Sequence, residues 1–154
     1  QQRLLLERGY EALHAAGHDR ASLLGSNVGV FVGVTYMDFA EVLKASPLGQ
    51  SVYAATGAAH PVASGRLSYV LGLQGACVGF DTACSAALAA AHGGLRALQL
   101  RECEAAVVAG VNLMLLPGVG LNFAVAGMTS PRGRCHTFDS RADGYARAEA
   151  CISV

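Results

Sequence analysis

Cys84 is the residue of this sequence whose type and setting best suit nucleophilic chemistry. It stands in Asp81-Thr82-Ala83-Cys84-Ser85-Ala86-Ala87, between the short run Ala76-Cys77-Val78-Gly79-Phe80 and the Ala/Leu-rich stretch from Ala86 to Leu100. The run reads as a buried strand and the stretch as a helix, which puts the thiol on the turn between them. Amides at a helix N-terminus lack partners, and the helix dipole adds partial positive charge there. Both favour a thiolate, the form that attacks. A sharp turn also pushes the side chain out of its layer. The backbone N–H of Cys84 would then be placed to donate to the oxyanion formed when a thioester carbonyl is attacked. Spacing alone leaves an inert, packed cysteine equally open.

The other candidates are weaker. His14, His18, His60, His92 and His136 are scattered, with no metal-ligand spacing to one another or to a cysteine, and read as surface or structural residues. Cys135-His136 are adjacent in a loop, but a catalytic pair must meet in space rather than in sequence. Cys77, Cys103 and Cys151 lie in or beside apolar runs and are expected to be packed thiols. Asp139 and Asp143 could form a carboxylate pair, yet in a Gly-containing loop they more often make turn hydrogen bonds. Gly118 and Gly120 lack the third glycine and the lysine of a phosphate-binding loop.

The elements that must hold Cys84 follow from the apolar pattern. Residues 3–16 carry Leu4, Leu5, Tyr10 and Leu13 at roughly helical spacing and close at Gly17. Val28–Val34 is a continuous β-branched and aromatic run, expected as a buried strand. Residues 51–73 suggest a helix through Val62, Leu67, Val70 and Leu71, ending near Gly72. Ala105–Leu116 reads as a second buried strand, so residues 76–116 form a strand–helix–strand unit and imply a mostly parallel sheet. Gly93-Gly94 inside the helix costs stability and is expected to mark close packing against another backbone. Thr129–Gly144 turns polar and reads as a structured loop.

Composition narrows the class. Of 154 residues, 53% are hydrophobic and 14% charged, which suits a packed domain and excludes disorder. Lys+Arg and Asp+Glu balance at 11 each, which argues against a nucleic-acid partner. Five cysteines without a Cys-x-x-Cys pair argue against a disulfide scaffold or zinc site and for reduced thiols. The longest apolar stretch, Ala105–Leu121, is broken by Asn112 and Pro117 and falls short of the ~20 residues of a membrane span. No signal peptide is visible, so a cytoplasmic location is expected. The chain starts at Gln1, and Cys151–Val154 reads as the opening of a strand; we expect a piece of something longer.

Several motifs in order resemble one family. Gly65-Arg66-Leu67-Ser68-Tyr69-Val70-Leu71-Gly72-Leu73-Gln74-Gly75, followed by Asp81-Thr82-Ala83-Cys84-Ser85, resembles the β-ketoacyl synthase domain of type I polyketide synthases. Gln1–Glu7, Gly110-Val111-Asn112, Ser130–Asp139 and Ala142–Arg147 extend the resemblance over nearly the whole chain. It implies a thiolase-like α/β fold, of which residues 1–154 would be a partial domain without the first strand and the C-terminal half. It also implies acyl transfer to Cys84 from the phosphopantetheine arm of an acyl carrier protein. Decarboxylative condensation with a malonyl-type thioester would follow, in a homodimer that binds no metal or cofactor directly. Two downstream histidine motifs of the family have no counterpart here, so the piece alone is expected to be inactive. With the first strand and partner half absent, exposed apolar patches are expected to make it poorly soluble. Where the family commonly has Thr-Ala-Cys-Ser-Ser-Ser, Gly-Pro-Ser and Gly-Glu-Gly, this chain has Ser85-Ala86-Ala87 after Cys84, Gly75-Ala76-Cys77 and Ala148-Glu149-Ala150, which resembles subfamily variation. A fatty-acid synthase condensing domain and a non-catalytic, interaction-only homologue remain as alternatives.

Overall fold

Val28, Val30 and Val32 alternate with Gly29, Phe31 and Gly33, and this period of two gives one strand two different faces. The computed structural model describes residues 1–154. In chain order its elements are α1 (Gln2–Ala15), α2 (Arg20–Leu23), β1 (Val28–Gly33), α3 (Asp38–Lys44), α4 (Ala54–Ala58), α5 (His60–Leu71), β2 (Cys77–Phe80), α6 (Ala86–Gln99), β3 (Ala105–Asn112), α7 (Pro117–Val125) and β4 (Ala150–Ser153). Short 3₁₀ turns lie at Pro47–Gln50 and Ala83–Ser85.

The four strands form one sheet in the order β2-β1-β3-β4. β1 is parallel to both neighbours, and β4 is antiparallel to β3. Helices cover both faces. On one, Leu5 and Leu13 of α1 and Ala63, Leu67 and Leu71 of α5 pack with Val28, Val30, Val32, Val107, Ala109 and Val111. On the other, Phe31 packs with Ala90 and Ala97 of α6 and with Cys103. This is the mostly parallel α/β sandwich that the apolar runs imply, with β1 buried along its whole length.

Several expectations need correction. The strand at Cys77–Phe80 is not buried: it pairs with β1 alone and lies at the sheet edge. Cys77 is accordingly exposed rather than packed, whereas Cys103 is buried and Cys151 half-buried. β2, α6 and β3 do form the expected strand–helix–strand unit in a mostly parallel sheet, with β1 lying between the two strands. The helix expected to end near Gly72 is α5, closed by Gly72 at φ 70°, and the extended Ala59 separates it from α4. β3 stops at Asn112, not Leu116. Beyond it the amides of Met114, Leu115 and Leu116 are taken by the side chains of Glu149 and Asp38 instead of a neighbouring strand. Pro117 then opens α7, as a residue without an N–H can at a helix start.

Candidate functional site

The turn carrying Cys84 is built from a floor of glycines. Gly33 at the end of β1 and Gly110 on β3 face each other in register, and α6 rests its first turn on both. A Cβ on Gly33 would lie 2.4 Å from the Ala87 nitrogen, and one on Gly110 would lie 2.9 Å from the Ala87 Cβ. Helix and sheet therefore meet backbone to backbone at Gly33, and Gly110 makes room for the Ala87 methyl. The glycines within α6 work differently from expectation. Gly93 and Gly94 admit side chains, Phe80 and Val108 with Phe31, rather than another backbone.

Between β2 and α6 the chain turns through Asp81–Ser85. Ala83 takes φ 54°, a left-handed value that costs a non-glycine residue about 1 kcal/mol. Three contacts hold it there. Asp81 Oδ1 accepts from the Ala83 amide at 3.3 Å, Thr35 Oγ1 donates to the Ala83 carbonyl at 3.2 Å, and Ser85 Oγ donates to the Thr82 carbonyl at 2.8 Å. Cys84 follows, exposed, in the 3₁₀ turn just before α6 rather than inside the helix's first turn.

Cys84 opens into a cleft of about 750 Å³ at the C-terminal ends of the parallel strands. Ligands in open α/β sheets collect at such ends, where crossovers leave by opposite faces. Of the 23 residues that line it, 18 are hydrophobic, so the space suits an alkyl chain better than a polar group. None of the five histidines lines it. Its far wall comes from α7 and from the segment 145–148, neither of which the sequence marked as part of a site. Tyr36 stands edge-on to Phe123 at 6.0 Å, and the Arg147 guanidinium lies over the same ring at 5.2 Å.

The remaining candidates are structural. Asp139 accepts from the Arg141 backbone and guanidinium, and Asp143 accepts from Arg132, so the two carboxylates brace the loop instead of pairing. The Arg141 guanidinium, with its amide, holds the Asp139 carboxyl below the usual carboxylate range. Cys135 Sγ accepts from the Ala146 amide at 3.3 Å. Burial pushes the Cys151 thiol up. No cluster of three or more His, Cys, Asp or Glu side chains is arranged to hold a metal, and no helix is long and apolar enough to cross a membrane.

Comparison with known proteins settles what this architecture is. The family model of the β-ketoacyl synthase N-terminal domain matches residues 1–154. The chain belongs to the β-ketoacyl synthase family. Among curated relatives, this ketosynthase chain is 44% identical over 149 residues to a phenolphthiocerol/phthiocerol polyketide synthase of Mycobacterium tuberculosis, covering 97% of the chain and 10% of that protein. It is 46% identical over 154 residues to the fumosorinone synthetase of Cordyceps fumosorosea, covering 100% of the chain and 4% of that protein. Among solved structures it is similar to the ketosynthase from module 6 of the bacillaene synthase of Bacillus subtilis, with a TM-score of 0.88 and 32% identity over 98% of the chain and 25% of that structure. The oxazolomycin ketosynthase domain of Streptomyces albus gives 0.88 and 33%, over 100% of the chain and 27% of that structure. The ketosynthase chain thus spans about a quarter of these solved domains and a tenth or less of these curated relatives, and its thiolase-like α/β fold is that of ketosynthase domains.

Proposed function

We propose that this chain is the nucleophile-bearing part of a condensing domain for polyketide chain elongation, with Cys84 as the acyl-accepting residue. The observation that carries this is the position of Cys84. It is a solvent-reachable thiol on a strained turn, facing an apolar cleft large enough for an acyl chain. The thiolate attacks a thioester carbonyl, the Cys84 backbone N–H donates to the oxyanion, and the donor thiol departs. A malonyl-type thioester then loses CO2, and the resulting carbanion attacks the Cys84 thioester. The β-ketoacyl product forms on the second thiol, and Cys84 is freed. The polyketide synthases among its relatives support this over a fatty-acid role.

The donors in this reading are phosphopantetheine arms of acyl carrier proteins, in the cytoplasm, where five free thiols stay reduced. We also propose a homodimer. β2 is a sheet edge with free hydrogen-bonding groups, and Val78 on it is 37% exposed. The residues that assist decarboxylation would come from further chain, in keeping with the quarter of a solved ketosynthase that is matched here. Residues 1–154 alone would therefore not condense.

The test is acylation of the intact protein with an acyl N-acetylcysteamine thioester, read by mass spectrometry of peptides. A single acyl adduct on Cys84, lost in Cys84→Ala, is expected. Acylation elsewhere, or none, would overturn the assignment.

A further inference from the structure

Arg147 is the only charged side chain among the residues lining the Cys84 cleft. It is half-buried, yet it takes part in none of the five ion pairs and none of the side-chain hydrogen bonds of the chain. Taking a cation out of water without a partner is unfavourable, so its retention here calls for a reason.

The surroundings hold it in place. Its guanidinium lies over Phe123, and Tyr36 stands edge-on to that ring. Gly120 leaves room for it: a Cβ there would lie 3.2 Å from Arg147 Nη1. The backbone on either side is pinned, the Ala146 amide to Cys135 Sγ and the Ala148 carbonyl to the Asn112 side-chain amide. A guanidinium stacked on a ring keeps its N–H edge free, and that edge matches the paired oxygens of a carboxylate or phosphate.

We propose that Arg147 is a binding residue for the oxyanionic group of the thioester that enters the Cys84 cleft. This rests on the reading of Cys84 as acyl acceptor and deepens it. Two groups share the chemistry: the carboxylate of a malonyl-type unit and the phosphate of the carrier's pantetheine arm. A firm ion pair to the carboxylate would stabilise the ground state that CO2 loss must leave, which favours the phosphate.

The test measures equilibrium binding of malonate, pantetheine and phosphopantetheine to the intact protein and to its Arg147→Gln, Arg147→Lys and Arg134→Gln variants, by calorimetry. Arg134 is an exposed cation outside the cleft and serves as the control. Tighter binding of phosphopantetheine than of pantetheine is expected, with a gap of about tenfold that Arg147→Gln removes and Arg147→Lys partly restores. A tenfold loss for malonate alone would assign the carboxylate instead and still support the proposal. Unchanged affinities for both anions overturn it, as does equal weakening by Arg134→Gln. Loss of thermal stability in Arg147→Gln, with anion binding intact, would make Arg147 a structural residue and overturn it as well. Because binding is read without acylation, a protein in which Cys84 takes no acyl group but Arg147 binds phosphopantetheine would reject the Cys84 reading alone.

Discussion

Gly33 at the end of β1 and Ala87 in the first turn of α6 meet backbone to backbone, with 2.4 Å between the Ala87 nitrogen and the place a Gly33 Cβ would occupy. The turn bearing Cys84 therefore sits at a height above the sheet that only glycine permits. Gly33→Ala is expected to lower stability by about 1–3 kcal/mol through overpacking and to displace the start of α6. Gly65, in the middle of α5, has nothing within 4 Å of its Cβ position. Gly65→Ala should be neutral or stabilising by about 0.5–1 kcal/mol. Urea denaturation of the two variants of the intact protein would check this, and equal effects would show that the close approach is not what matters.

Thiol reactivity should follow exposure. Cys77, Cys84 and Cys135 are exposed, and Cys103 is buried between α6 and the sheet. Brief treatment of the folded protein with iodoacetamide is expected to label the first three and to spare Cys103 until denaturant is added. A long-chain acyl thioester analogue should protect Cys84 and leave Cys77 and Cys135 open, since Cys84 alone among the cysteines lines the cleft. Equal protection of all three would mean that the cleft is not the acyl site.

The sequence made the scaffold of the site legible and left its far wall hidden, for a physical reason. β1, α6 and the turn at Cys84 are coded by local signals: an unbroken apolar run, an Ala/Leu stretch, and the polar break Asp81-Thr82 between strand and helix. Edge position is not coded locally. Cys77–Phe80 has the residues of an interior strand and lies outermost because β1 is already paired with β3 on its other side. α7 was hidden by its own glycines, Gly118 and Gly120, in a helix whose one polar side chain is Asn122. Arg147 stands in the sequence only as the last residue of the Ala142–Arg147 motif. Its meaning comes from Phe123, distant in the chain and stacked beneath it.

Asp38 is a buried carboxylate whose work no motif announces. It is 8% exposed, and its Oδ2 accepts from the amides of Leu115 and Leu116 at 3.1 and 3.2 Å, tying the start of α3 to the approach to α7. Removing the acceptor leaves two amides unpaired. Asp38→Ala is expected to cost about 1–3 kcal/mol, and Asp38→Asn less, because its carbonyl oxygen can still accept. The readout is the urea midpoint, together with hydrogen exchange at Leu115 and Leu116, which should quicken in Asp38→Ala before the rest of the chain does. A midpoint unchanged in both variants would dismiss the tie.

Acid should loosen the 129–145 loop first. The Arg141 guanidinium and amide hold the Asp139 carboxyl below its ordinary range, and the Ser130 hydroxyl and Arg132 do the same for Asp143. A carboxyl lowered in the folded state binds fewer protons there than in the unfolded chain, so stability rises with pH across that window. The contribution is fully present above the unfolded value of about 4 and is lost as pH falls through the lowered folded value. The Asp139 side chain is 32% exposed and that of Arg141 65%, so solvent screens the pair and the effect is small and shrinks with salt. Urea midpoints of the wild type and of Asp139→Asn, taken from about pH 6 down to about pH 2.5 at low salt, are expected to differ most above about pH 5. They should converge as Asp139 takes up its proton. Curves that stay parallel to the acid end would mean that the Asp139–Arg141 pair contributes nothing that protonation can remove.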